Sequence, residues 1–301
     1  MFKIIKRKIK RFHHYLITKL FLKNQLRKQF GTSASFLQNC KISKKKIMVA
    51  MVELNHYQFM QVLSLAKALE LRGAEIRVLI CDEFLNGCEI KSIENESDKD
   101  PCWECRFNKK NIFSYFGFET VTYSDLISKN QLDEIEELSR ELIFEKDIFY
   151  NDINLTTYVN DSIIRYYYGG DPKDNDDKSS TKLKHIRTAI INSIAAKTID
   201  DIWSPDILLC NMSVYSVWGP IYHHFRDRVS MISLSDFDPK SVTYNFGDVI
   251  SSRDRFKEYV SQRGNNKLNK AEKDEIAKFY EARYSGRDWL FQRNDFYNNS
   301  L

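Results

Sequence analysis

The residues best suited to chemistry gather in one stretch of the chain. An apolar run, Ile47-Met48-Val49-Ala50-Met51-Val52, is followed by the polar crossing Glu53-Leu54-Asn55-His56-Tyr57-Gln58. A histidine titrates near neutrality, so His56 has the chemistry of a general base on a hydroxyl, with Glu53 to orient it. Asn55 and, much later in the chain, Asn211 have the amide groups to bind hydroxyls. The same crossing also reads as a plain helix start, with Asn55 or His56 as the cap. Shortly after come four cysteines, Cys81, Cys88, Cys102 and Cys105, in the pattern C-x6-C-x13-C-x2-C. Four thiolates form a tetrahedral set for zinc or the ligands of an iron–sulfur cluster. A redox-active disulfide and four reduced thiols in a packed insertion are the other two readings of the same spacing.

The elements around these residues alternate in type. Residues 46–52 are nearly all apolar, as a strand buried on both faces requires. Residues 58–71 place Phe59, Val62, Leu63, Leu65, Ala66 and Leu69 on one broad helical face, and Gly73 supplies the stop. Residues 75–81 read as a second strand, completing a βαβ unit. Farther on, the pattern predicts a short helix at 113–118 and a strand at 119–123. Helices follow at 132–149, 155–168 and 183–203, with a loop over 169–177. A strand at 207–210, a helix at 214–225 broken near Gly219-Pro220, and a strand at 229–234 come next. The tail reads as two helices, 253–262 and 270–284. The expected fold is α/β, a doubly wound Rossmann-like parallel sheet with a helical insertion at about residues 130–200.

Ligands of such folds lie beyond the carboxyl ends of the strands, and a dinucleotide there needs glycines for close backbone approach. The first crossing has none, and no G-x-x-x-x-G-K-[ST] occurs in the chain. Nicotinamide enzymes and P-loop NTPases are therefore disfavoured, and a site built from side chains is expected.

Charge divides the chain unevenly. Residues 1–46 hold 14 of the 46 Lys and Arg and no acid, so the remainder has 32 basic against 41 acidic residues, a net of −9. The body is acidic, which disfavours nucleic acid as its partner on electrostatic grounds. Residues 2–30 repeat Phe2, Ile5, Ile9, Phe12, Leu16 and Leu20 at helical spacing, with Lys and Arg between them. A basic amphipathic helix of this kind suits an anionic membrane surface, or packs on the body or a partner with its basic face solvated; residues 32–44 read as a linker. No secretory signal and no run of about 18 apolar residues is visible, so the expected place is the cytoplasm, at or near the inner face of its membrane.

One resemblance accumulates along the chain. Residues 45–81, with their His-bearing turn, Leu-Ala-Lys-Ala-Leu helix and Arg72-Gly73 stop, are similar to the N-terminal half of GT-B glycosyltransferases. Val78-Leu79-Ile80-Cys81-Asp82, Gly87-Cys88 and Cys102-Trp103-Glu104-Cys105 resemble a narrower group, bacterial capsular polysaccharide biosynthesis proteins. Pro205-Asp206-Ile207-Leu208 and Asn211-x3-Tyr215-x3-Gly219 fit the same group, and the likeness spans about residues 45–288. It implies sugar transfer from a nucleotide sugar to a glycan or lipid-linked glycan, with this half binding the acceptor. It also implies a donor-binding half near residue 300 and beyond, supplied from outside these 301 residues or by a partner. A non-catalytic alternative stands beside it: a cysteine-metal α/β module that scaffolds a polysaccharide assembly complex.

Overall fold

The computed structural model describes residues 44–52, 56–88, 101–167, 175–210, 212–234, 244–246, 261 and 267–284. The expected amphipathic helix at 2–30 and the tail helix at 253–262 fall outside the described residues, apart from Ser261. The chain divides into two compact units. The first comprises residues 1–234 and 244–249, the second residues 235–243 and 250–301.

The first unit is built on a six-stranded sheet. Its strands in chain order are β1 (Lys46–Ala50), β2 (Glu75–Ile80), β3 (Glu119–Thr122), β6 (Ile207–Cys210), β7 (Ser230–Leu234) and β8 (Tyr244–Phe246). In space they run β3-β2-β1-β6-β7-β8. The first five are parallel, with Val49 beside both Val78 and Leu209, and β8 closes the edge antiparallel to β7. The order reverses direction at β1, so β1 and β6 flank the topological switch point.

Both faces of β1 are covered, which is why its sequence is a continuous apolar run. Met48, Ala50 and Val52 join one core, while Ile47, Val49 and Met51 join the other. The second core receives α1 (His56–Glu70) and α2 (Pro101–Phe116) through Val62, Leu63, Ala66, Ile112, Phe113 and Phe116. The first core receives the long segment between β3 and β6. That segment comprises α3 (Tyr123–Leu126), α4 (Lys129–Leu142), a two-stranded hairpin of β4 (Phe149–Tyr150) and β5 (Ile153–Asn154), α5 (Thr156–Tyr166) and α6 (Asn175–Trp203). The helix after β6, α7 (Tyr215–Phe225), lies in the same layer. The molecule is thus α/β, a Rossmann-like parallel sheet with helices on both faces.

Several boundaries differ from those the sequence suggests. The helix expected at 113–118 begins at Pro101 and runs to Phe116, burying Lys109, Ile112, Phe113 and Phe116 at helical spacing. The segment expected as one helix over 132–149 ends at Leu142, and a hairpin follows. The helix α6 starts at Asn175, two turns before its apolar stripe becomes legible. Pro220 does not break α7. Gly73 and Gly117 do end α1 and α2, both with positive φ (94° and 71°), and each caps by backbone bonds to the preceding turn.

The amino edge of the sheet is pinned by Asp206. Its carboxylate accepts from Lys45 Nζ at 2.7 Å and from the Lys46 backbone N–H at 2.9 Å. These bonds hold the Asp206 carboxyl below the usual carboxylate range. In the second unit, α8 (Lys270–Tyr284) opens with a reciprocal cap. Asn269 Oδ1 accepts from the Glu272 N–H at 3.0 Å, and the Asn269 N–H donates to Glu272 Oε2 at 2.8 Å.

Candidate functional site at the carboxyl edge of the sheet

The switch point brings the sequence-identified stretch to the carboxyl edge. His56 is the first residue of α1, so it sits where the chain enters a helix after β1. Glu53, Asn55 and Asn211 lie outside the described residues. The strand that precedes Glu53, Asn55 and His56 in sequence, β1, lies in the middle of the sheet beside β6, where the order reverses.

The four cysteines are distributed differently from a single ligand set. Cys81 and Cys88 follow β2 and pack against the core that holds Met48 and Ala50. Cys102 and Cys105 lie in the first turns of α2, not in a knuckle, and Cys105 packs against the core on the opposite sheet face. Among the described residues no group of three or more His, Cys, Asp or Glu is placed to hold a metal. Each of the four is half-buried and none forms a disulfide. The reason lies in the sheet itself: a chain crossing from one face to the other separates thiols that sequence spacing alone makes neighbours. Cys210, at the end of β6, is buried, and burial pushes its thiol up to about 12.

Around the edge, the side chains form two polar systems. The outer one closes the ends of β2 and β3. Asp82 Oδ2 accepts from the Ser124 hydroxyl, while its Oδ1 is buried without a partner. Glu83 pairs with Arg106 of α2 at 3.1 Å. Asp125 accepts from the Thr122 hydroxyl at 2.6 Å and its N–H at 2.9 Å, and these bonds lower its carboxyl. Beneath β1, Lys109 of α2 is 1% exposed and donates to the Val52 carbonyl. Among the described residues no carboxylate pairs with it.

The inner system is fully buried and joins four helices. Tyr123 donates to Asn192 Oδ1, and Asn192 Nδ2 donates to the Thr188 and Ser216 carbonyls, each at 3.0 Å. Ser216 Oγ lies 2.9 Å from His185 Nδ1 and 3.0 Å from Ser162 Oγ. The Ser216 N–H also donates to Ser162 Oγ at 2.8 Å. Burial holds the His185 imidazole down to about 4, and neighbouring Lys184 adds to the effect, so it is neutral at pH 7. Pro220 explains why Asn192 is needed. A helical residue at 220 would donate its N–H to the Ser216 carbonyl, and proline has none. The Asn192 amide supplies the missing donor, and the helix runs on through the proline.

Close approach and strain also mark this edge. A Cβ at Gly87 would lie 2.7 Å from the Lys184 carbonyl oxygen, so only glycine lets the loop after β2 lie on α6, where its N–H reaches Thr188 Oγ1 at 3.0 Å. Glu83 (φ 77°) and Tyr215 (φ 65°), which follow β2 and β6, hold left-handed backbone that side chains other than glycine rarely adopt. Two further polar atoms, Trp218 Nε1 and Ser233 Oγ, are buried without a hydrogen-bond partner in α7 and β7.

No protein-family model matches the chain, and no curated protein matches it. Solved structures do. A structure of a CDPS from Fluoribacter dumoffii is 12% identical, with a TM-score of 0.37, covering 67% of this chain and 91% of that one. Tyrosyl-tRNA synthetase of Leishmania major in complex with tyrosinol is 13% identical, with a TM-score of 0.35, covering 68% of this chain and 29% of the synthetase. The same enzyme in complex with fisetin gives 12% identity and a TM-score of 0.35, covering 73% and 31%. At these scores nothing about this chain's chemistry follows from them.

Sequence reasoning missed Lys109, Asp82 and the Tyr123–Asn192–Ser216–His185 system. For Lys109 a signal was present: Cys105, Lys109, Ile112 and Phe116 recur at spacings of four, three and four, which puts a lysine in the apolar stripe of a helix. For the inner system there was none, because its members are contributed by α3, α5, α6 and α7, far apart in the chain.

Proposed function

We propose that the parallel-sheet unit is the acceptor-binding half of a GT-B-type glycosyltransferase in capsular or other surface-polysaccharide synthesis. The observation that carries this reading is a glycine-free first crossing, Glu53–Gln58, at the switch point of a Rossmann-like sheet. A nucleotide diphosphate bound there needs close backbone approach, whereas a hydroxyl-rich acceptor is read by side chains. The buried, unpartnered Asp82 Oδ1 at the same edge is an acceptor suited to a hydroxyl donor.

In this reading His56 removes the proton from the attacking acceptor hydroxyl, and Glu53 orients the imidazole. Asn55 and Asn211 bind neighbouring hydroxyls. The acceptor oxygen bonds to the anomeric carbon of a nucleotide sugar, the co-substrate held by a donor-binding half, and the nucleoside diphosphate leaves. The basic segment 2–30 brings the enzyme to an anionic membrane surface, where lipid-linked glycans are found. Among the described residues no helix is long and apolar enough to cross a membrane.

Isothermal titration of the full chain with oligosaccharides of a surface-polysaccharide repeat tests the assignment. Binding that weakens about tenfold or more in His56→Ala and Asn55→Ala is expected, with UDP binding no tighter than pyrophosphate. Tight UDP binding with no affinity for oligosaccharides would overturn it.

A further inference from the structure

The fold divides the four cysteines, yet it keeps two of them together. Cys102 and Cys105 lie three residues apart in the first turns of α2. Residues one helical turn apart share a face, with Cα atoms about 5 Å apart. That separation falls within the roughly 4.4–6.8 Å that a disulfide spans. Both thiols are half-buried and neither is in a disulfide. The helix α2 is the crossover between the parallel strands β2 and β3, so the Cys-x2-Cys opens the helix of a βαβ unit. The positive end of a helix macrodipole favours a thiolate in the first turn, and Cys102 is the thiol nearer that end. Farther along, α2 is anchored. Cys105 packs against the core, Arg106 pairs with Glu83 at 3.1 Å, Lys109 donates to the Val52 carbonyl, and Ile112, Phe113 and Phe116 are buried. Cys102 lies ahead of these anchors, in the turn whose N–H groups have no carbonyl of the same helix to reach.

We propose that Cys102 and Cys105 are a thiol–disulfide exchange pair whose co-substrate is a small-molecule disulfide of the glutathione class. The Cys102 thiolate attacks one sulfur of that disulfide. The co-substrate's sulfur–sulfur bond breaks, a mixed disulfide forms on Cys102, and the first small thiolate leaves and takes up the proton that Cys102 released. The Cys105 thiolate then attacks the Cys102 sulfur. The Cys102–Cys105 bond forms, and the second small thiolate leaves with the Cys105 proton. Two protein thiols lose two electrons, and one small disulfide gains them to become two thiols. Closure draws the Cβ atoms from about 5–6 Å on a regular helix to about 3.5–4.5 Å, so the first turn must tighten. A bond that costs this tightening is readily reduced, which suits a reversible couple and not a structural staple. The pair goes beyond the glycosyltransferase reading, since it needs neither an acceptor nor a donor-binding half.

The test equilibrates the full chain across a series of reduced-to-oxidised glutathione ratios, then alkylates it and digests it for mass spectrometry. A Cys102–Cys105 bridge should form in oxidised glutathione and open again in excess reduced glutathione. Cys105→Ser removes the resolving thiol, so the mixed disulfide on Cys102 should accumulate about tenfold or more over wild type. Serine is close to cysteine in size, and far-ultraviolet circular dichroism checks that the variant folds; the wild-type series decides without it. No bridge at any ratio overturns the proposal, and so does a bridge that excess reduced glutathione leaves intact. Glutathione on Cys102 to the same extent in wild type and Cys105→Ser also overturns it, as does pairing of either thiol with Cys81 or Cys88. Oligosaccharide binding enters none of these readouts, so this pair and the acceptor reading fail separately.

Discussion

Replacing Asn192 with leucine tests how α7 survives its proline. The substitution removes three hydrogen bonds, yet they are not equal. The Thr188 carbonyl keeps its helical partner, since the residue 192 N–H still reaches it. The Ser216 carbonyl loses its donor, because Pro220 offers no N–H, and the Tyr123 hydroxyl loses its acceptor. Both sites are buried, Ser216 and Tyr123 each being 0% exposed. A buried polar group left unpaired costs about 1–3 kcal/mol, so through the Ser216 carbonyl alone Asn192→Leu should destabilise by about 1–3 kcal/mol. Pro220→Ala supplies the missing N–H, and in the Asn192→Leu background it should recover about 1–3 kcal/mol more than in the wild type. Urea unfolding of the four proteins, followed by tryptophan fluorescence and far-ultraviolet circular dichroism, gives the coupling from midpoints at constant slope. Additive effects, within about 0.5 kcal/mol, would refute the idea that Asn192 substitutes for the proline's absent donor.

Four further outcomes follow from the same geometry. His185 has a folded-state value of about 4 against an ordinary 6.5, so the unfolded chain binds more protons between those values. Its contribution is fully present above pH 6.5 and lost as pH falls towards 4. His185→Gln should therefore flatten the acid limb of the stability–pH curve by roughly 3 kcal/mol, and an unchanged difference between pH 7 and 4 would sink the assignment. Gly87→Ala forces a Cβ against the α6 backbone and should lower stability by about 1–3 kcal/mol in urea unfolding; a neutral effect would mean that the loop moves freely. Cys210 should resist a thiol reagent in the folded protein while the half-buried Cys81 and Cys88 react, and all should react in urea. The distribution of the other cysteines across the sheet predicts substoichiometric zinc and iron by elemental analysis. Stoichiometric metal that is lost in Cys102→Ser would restore the four-thiolate reading.

The sheet was legible because a strand buried on both faces must be largely apolar: β1 and β6 read so almost throughout, and β2 and β7 keep apolar residues around Arg77 and Ser233. The helix α1 was legible from its periodic face and its Gly73 stop. The helix α2 was only partly legible, since residues 106–111 carry Arg, Asn and Lys in a cluster that looks like solvent-facing loop. The continuity of α7 was hidden because local rules assign Pro220 a break, and the donor that prevents it lies 28 residues away on α6. The cysteines are close in sequence, but Cys81 and Cys88 pack against one core and Cys105 against the other.

Several features that sequence rules failed to anticipate lie at the carboxyl edge of the sheet, although Ser204 at the amino edge and Asn151 in the hairpin also hold positive φ. Lys109 breaks an apolar stripe, Glu83 and Tyr215 hold positive φ, and Asp82 leaves a buried oxygen unpaired. Strained backbone of this kind costs on the order of 1–3 kcal/mol per residue, and an unpaired buried polar atom costs a similar amount. Apart from the neutral His185 system, which satisfies its own hydrogen bonds, these features share no helix and no core. They share only their place beyond the carboxyl ends of β1, β2 and β6. The amino edge, held by Asp206 and its two lysines, has paired charges instead. Such an asymmetry has a physical reading. A fold tolerates local cost where a ligand repays it, and the orphaned Asp82 oxygen at this edge is a group that a hydroxyl donor would satisfy.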